Sequence, residues 1–314
     1  MIRHHRRDMI AAANTTSHEE PTAMDQRIID LYDGFTHGRI SRRDFFDRLT
    51  ALAGSAAAAT AAYETLRPNY ARAAIVAEND PRLVQDKASF DTMQGDVHGN
   101  LVRLANKVKR PAVLVIHENR GLTPHIQDVA RRMALEGFLV LAVDLLSTVG
   151  GTPADEDKAR SMIGNLSLED VQEQAAAAVS FLNKHPESTG KTGAIGFCWG
   201  GGMINRLAMT SPELAAGVAY YGPVPADKSR VKAITAPLLL HYAGLDTAVN
   251  PGIPAWEQAL KDAGKRYTVY VYEGVNHAFN NDTGGPRYNK AAADLAWSRT
   301  VAFLKQNVGE PPAS

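Results

Sequence analysis

Cys198, Asp246 and His277 are the residues of this 314-residue chain whose types and spacing could together do nucleophilic chemistry. Cys198 is the only cysteine, and it stands at the centre of Gly196-Phe197-Cys198-Trp199-Gly200-Gly201. The apolar run from Thr192 precedes it, and Met203 to Met209 follows with a helical pattern. Glycines two before and two after the central residue let a strand turn sharply into a helix without a Cβ clash. Serine is the usual nucleophile in such a turn. A thiol is already partly ionised near neutral pH and is the stronger nucleophile once ionised. His277, in Glu273-Gly274-Val275-Asn276-His277-Ala278-Phe279, can accept the thiol proton and later protonate a leaving group. Asp246, in Ala243-Gly244-Leu245-Asp246, can fix the imidazole tautomer and favour its cation. The backbone N–H of Trp199, at a helix start, can donate to a developing oxyanion. Each residue alone has a plainer reading: a packed core thiol, a turn aspartate, a loop histidine.

Positioning these groups requires a scaffold, and the remaining pattern supplies one. Apolar runs at 112–117, 138–143, 192–197, 217–221, 237–242 and 267–272 lack the alternation of a half-exposed sheet. They suit strands of a parallel sheet buried on both faces. Helical spacing between them, at 123–136, 168–184, 253–263 and 288–307, predicts an α/β fold. Its doubly wound, mostly parallel sheet carries helices on both faces. Residues 88–104 are expected to add antiparallel strands at one edge. In such sheets, chemistry gathers at the carboxyl ends of the strands. Cys198, Asp246 and His277 each follow a run, in the order nucleophile, acid, histidine found in α/β-hydrolases.

From about residue 80 to the C-terminus the chain resembles the dienelactone hydrolase family, on its Gly-Phe-Cys-Trp-Gly-Gly motif and the spacing to Asp246 and His277. The resemblance implies a Cys-His-Asp triad and hydrolysis of a small-molecule carboxylic ester or lactone, of the carboxymethylenebutenolidase kind. It implies that Glu118, in His117-Glu118-Asn119-Arg120-Gly121-Leu122, touches the resting cysteine and is displaced when substrate binds. It implies a second oxyanion donor in the N–H of Asn119. Two arginines that hold a substrate carboxylate in the family have no counterpart. Residues 144–151 contain no arginine, and Asn281 stands four residues after His277. Arg120 and Arg287 are the candidate replacements, and Trp199, Tyr221 and Phe279 are candidates to line an apolar pocket. Acyl-transfer or perhydrolase-type chemistry on the same triad, and a non-catalytic binding protein on a hydrolase scaffold, remain alternatives at this stage.

The first seventy residues are different in kind. Residues 1–73 read as an N-terminal extension before a hydrolase-like domain at 74–314. Ser41-Arg42-Arg43-Asp44-Phe45-Phe46 and the Ala-rich stretch after it resemble a twin-arginine export signal, with Ala71-Arg72-Ala73 at peptidase spacing. That reading expects export to the periplasm through the twin-arginine machinery; without it the protein is expected in the cytoplasm. Asp25 to Tyr32 has helical spacing of its own. The chain is 45% apolar and 22% charged, and 34 basic residues balance 34 acidic ones. This balance gives no sign of a nucleic-acid partner. One cysteine excludes an internal disulfide and a cysteine-cluster metal site, and no metal or cofactor is expected.

Overall fold

The computed structural model describes residues 6–8, 24–70 and 74–312. The described strands are β1 (Arg6–Asp8), β2 (Leu83–Thr92), β3 (Gly95–Leu104), β4 (Arg110–Ile116), β5 (Leu139–Asp144), β6 (Ser188–Phe197), β7 (Leu214–Tyr220), β8 (Leu238–Ala243) and β9 (Tyr267–Tyr272). They form one sheet in the order β1-β9-β8-β7-β6-β4-β5-β3-β2. Strands β4 to β9 pair in parallel, and the β2–β3 hairpin joins antiparallel to β5. This is the expected doubly wound sheet, with its antiparallel edge.

The described helices are α1 (Gln26–Thr36), α2 (Arg42–Ala53), α3 (Ala56–Leu66), α4 (Pro124–Leu135), α5 (Glu156–Gly164), α6 (Leu168–Lys184), α7 (Trp199–Thr210), α8 (Ile253–Asp262) and α9 (Lys290–Val308). Side chains alternate across the sheet. Leu114 and Ile116 of β4 pack with Val171 and Val179 of α6, Ile204 of α7 and Trp256 of α8. Val113 and Val115 pack on the other face with Val129 of α4 and Ala296 and Leu304 of α9. Every residue of β4 is buried, which is why its sequence is apolar without alternation.

The chain steps from β4 to β5 on one side, then crosses back to β6 beside β4. The connections after β4 and β6 therefore diverge, and a crevice opens between them at the carboxyl edge. Glu118 and Asn119 follow β4, and Cys198 follows β6.

Helices α1, α2 and α3 pack around Ile29, Tyr32, Phe35, Phe45, Leu49, Ala59 and Leu66. Their starts are capped by Asp25, Ser41 and Ser55, whose side chains accept from Arg27, Asp44 and Ala58 N–H groups. The helical spacing of Asp25 to Tyr32 is realised in α1. The paired arginines Arg42 and Arg43 form the first turn of α2.

Candidate active site

The turn at Cys198 has the strained backbone of a nucleophile elbow, with φ 53 and ψ −118. Its flanking glycines are there for space. A Cβ on Gly196 would run into the Gly200 carbonyl, and one on Gly200 would lie 2.6 Å from the carbonyl oxygen of Ile116. The Cys198 N–H is held by the Tyr220 carbonyl at 3.0 Å. Cys198 is also the N-cap of α7. The N–H of Trp199 that follows has no acceptor within the helix and lies at the positive end of the helix dipole.

Asp246 and His277 are joined by a 2.6 Å hydrogen bond from Nδ1 to Oδ2, and both are buried. Oδ1 of Asp246 accepts from the backbone N–H groups of Ala248 and Val249 at 3.1 and 3.0 Å. Burial alone would raise the Asp246 pKa, but His277 and these N–H groups bring it down to about 2. Burial likewise works against the His277 cation, yet the Asp246 carboxylate and the Cys198 sulfur lift its pKa well above the ordinary value. Burial pushes the Cys198 thiol up, and the imidazoles of His37 and His277 outweigh it, lowering the pKa to about 6. His277 Nε2 is buried without a hydrogen-bond partner among the described residues. It stands near enough to the sulfur to act on its charge.

The hydrogen bond at the sulfur comes from a residue the sequence did not single out. Nε2 of His37, just after α1, lies 3.2 Å from Sγ. Its ring packs edge-on against His277, 4.6 Å between centroids. Glu118, expected beside the resting thiol, is hydrogen-bonded by Asn281, whose Nδ2 donates to its Oε2 at 2.8 Å. Asn281, in the place of a family arginine, thus clamps the carboxylate, and His37 takes the position at sulfur. His117, also unremarked in the sequence, fixes the loop that carries Asn119. Its Nδ1–H donates to the Glu118 carbonyl at 2.7 Å, and its Nε2 accepts from Leu145 N–H at 3.2 Å. Its ring stacks on Trp199.

The two candidate substrate arginines are already engaged. Arg120 is buried, bonded to Tyr32 Oη at 3.0 Å and paired with Glu156 at 3.1 Å. Arg287 is buried over the Tyr32 ring, 3.8 Å from Asp33 and 3.5 Å from the Leu66 carbonyl. Both anchor the N-terminal helices rather than face substrate. Tyr221 and Phe279 are core: Tyr221 packs on His277 and Phe279 and adopts φ 38. Trp199 does line the site. A cavity of about 710 Å³ opens beside His277 and Trp199, walled by Phe35, His37, Ile40, Trp199, Val249 and His277 among others. Residues 35–42 supply part of that wall, and the rest comes from the hydrolase region.

Among the described residues, two groups of side chains could geometrically take a metal ion: His37, Cys198 and His277, and Asp33, Asp246 and His277. In the first, an ion would occupy the lone pairs of the thiol and its imidazoles, and would block the nucleophile. In the second, Asp246 and His277 are already joined to each other.

A glycine-flanked nucleophile turn, a buried acid–histidine pair and a parallel sheet that delivers them in this order define an α/β-hydrolase. The dienelactone hydrolase family model matches residues 98–308, and the chain belongs to that family. Residues 16–54 match a second model, described as YqhI-like. A "Putative carboxymethylenebutenolidase" of Escherichia coli O157:H7 is 32% identical over 214 residues, covering 64% of this chain and 78% of its own. A "Putative hydrolase fragment YghX" of Escherichia coli K12 is 47% identical over 107 residues, 33% of this chain and 92% of its own. Among solved structures, a "Putative Dienelactone Hydrolase" from Klebsiella pneumoniae superposes with a TM-score of 0.66 at 25% identity. That match covers 71% of this chain and 99% of the other.

Proposed function

We propose that this protein hydrolyses small carboxylic esters or lactones through an acyl-enzyme on Cys198. The observation that carries the reading is the 2.6 Å Asp246–His277 pair beside a strained thiol whose pKa is lowered to about 6. Sγ attacks the carbonyl carbon, and the oxyanion is received by the N–H groups of Trp199 and Asn119. The thioester is then hydrolysed by a water that His277, oriented by Asp246, deprotonates. The "carboxymethylenebutenolidase" name of the relatives fits this bond class.

The substrate inferred is neutral and largely apolar. Arginine is suited to bidentate recognition of carboxylates, but Arg120 and Arg287 are turned to Tyr32, Glu156 and Asp33. The cavity wall includes Phe35, Ile40, Trp199 and Val249, which suit an aliphatic or aromatic acyl group; it also includes Arg39, and Arg42 and Arg160, which are both paired with Asp157. A panel of neutral and anionic esters and lactones tests this, with Cys198→Ala as the control. Turnover of neutral esters is expected to exceed that of dienelactone and to vanish in the alanine variant. Full activity in that variant would overturn the nucleophile.

A further inference from the structure

We propose that His37 is a catalytic residue, the base that takes the thiol proton of Cys198, so that the N-terminal helices complete the active site. This rests on Cys198 being the nucleophile proposed above.

The argument begins with the tautomer. Nδ1 of His37 lies 2.7 Å from the carbonyl oxygen of Asp33. A carbonyl only accepts, so Nδ1 carries a proton. The other nitrogen, Nε2, is 3.2 Å from Sγ. One proton must lie between them, since a neutral ring facing a thiolate would set two lone pairs against each other. Either S–H donates to Nε2, or the imidazolium Nε2–H donates to the thiolate. Ionisation of Cys198 is therefore transfer of its proton to His37: the S–H bond breaks, an N–H bond forms, and no third group is needed. The other groups that act on the sulfur are His277 and Tyr221. Nδ1 of His277 is committed to Asp246, and its Nε2 has no hydrogen bond. The Glu118 carboxylate is held by Asn281.

Two imidazoles then divide the reaction. In acylation, Sγ forms the C–S bond, the carbonyl π pair moves to oxygen, and on collapse the C–O bond to the leaving group breaks. The leaving oxygen takes the proton from Nε2 of His37, which returns to its neutral form. In deacylation, Nε2 of His277 takes a proton from water. The water oxygen displaces sulfur, and the proton passes to Sγ.

His37 is held in place by several contacts. Asn119 Nδ2 donates to the carbonyl of Thr36 at 2.7 Å, immediately before it. Asp33 and Tyr32, on the preceding turn, meet Arg287 and Arg120. These buried arginines would each lose a partner without α1, a costly state for a buried charge. A chain cut at Ala73 would also lose the base.

The test uses the full-length protein. Its single cysteine makes the ultraviolet absorbance of the thiolate report Cys198 alone, with Cys198→Ala as the blank. At neutral pH the wild type is expected to show a thiolate signal. His37→Gln should lower it several-fold, and lower turnover of an activated ester by about tenfold or more. His37→Gly should regain turnover when imidazole is added, which keeps the test open if the glutamine variant misfolds. An undiminished thiolate signal in folded His37→Gln, unchanged turnover there, or no imidazole rescue overturns the role of His37. Turnover surviving in Cys198→Ala overturns the nucleophile instead, so the two failures are distinct.

Discussion

Residues 74–312 and residues 24–70 are held together by different physics. The first region wraps helices on both faces of a sheet whose inner strand β4 is buried at every position. The second is three helices of 11, 12 and 11 residues around seven buried side chains. Helices of that length are marginal alone and depend on tertiary packing. Their packing partner is the hydrolase, through Arg120 on Tyr32, Arg287 on Asp33, Asn119 on Thr36 and Arg160 over Phe35. The large region supplies a rigid frame and most of the cavity wall, and residues 35–42 of the small one supply the rest. The cavity thus lies where a stable and a dependent unit meet.

The largest expected effect separates the two histidines. Asp246→Asn keeps the hydrogen bond but removes the charge that orients His277 and stabilises its cation. Turnover of an activated ester should fall on the order of 10³-fold or more. The thiolate signal of Cys198 should fall much less, because the hydrogen bond at its sulfur comes from His37. Loss of both together would erase the division between the regions.

A second comparison is of core deletions. Leu207→Ala in α7 and Leu49→Ala in α2 each remove a fully buried side chain, at about 2–5 kcal/mol. In α7 the loss should appear as a lower midpoint for the whole molecule. In α2 it should appear locally, as faster amide exchange over residues 24–70 with the sheet still protected. A single global transition shifted equally by both variants would show the regions to be one cooperative unit.

The difference between the regions also governs what could be read from sequence. The sheet was legible because a strand buried on both faces must be apolar throughout, as 112–116 and 138–143 are. The triad was legible because each member follows such a run. His37 was not, because a lone histidine after a helix carries no local signal, and the contact that gives it meaning is with a residue 161 positions away. Arg120 and Arg287 misled for the same reason. Their partners Tyr32 and Asp33 lie on a helix that composition sets apart. The one missed signal that was present is at Ser41. Ser41-Arg42-Arg43-Asp44 places a capping serine three residues before an acid, ahead of an apolar run. The structure uses it so, with Asp44 N–H donating to Ser41 Oγ at 3.1 Å.

Next in size is the response to pH. Asp246 has its pKa depressed from 3.8 to about 2. It therefore contributes stability above its unfolded value that is lost as pH falls through about 2, worth about 2 kcal/mol. Urea midpoints between about pH 5 and pH 2 should fall less steeply in Asp246→Asn than in the wild type. His277 has the opposite sign. Its raised pKa contributes below the unfolded value of about 6.5 and is lost as pH rises through the folded one. The activity limb is set by Cys198: with the thiol lowered to about 6, turnover should rise as pH climbs through that value. A limb displaced toward the ordinary thiol range would show that the imidazoles do not act on the sulfur.

The smallest effect tests what the paired arginines do. Arg42 pairs with Asp157 across the boundary between the regions, but both side chains are exposed, at 58% and 44%. Arg43 is 91% exposed, with Asp47 at 3.9 Å. Exposed pairs of this kind contribute under about 1 kcal/mol. Changing both to lysine keeps the charge and the helix start, so stability should be nearly unchanged; Arg42 also lines the cavity, so turnover is read on Arg43→Lys alone, where it should stay within about twofold of the wild type. The same residues carry the proposal of twin-arginine export, and the substitution reads that proposal independently of folding. If the export machinery recognises Arg42 and Arg43, the double lysine variant accumulates in the cytoplasm while the purified protein keeps its stability. If localisation is unchanged, the arginines serve only the start of α2 and its contact with Asp157. Intact mass of the protein recovered from its native host then decides whether His37 remains in the working enzyme, since cleavage near Ala73 removes it and retention keeps it against Cys198.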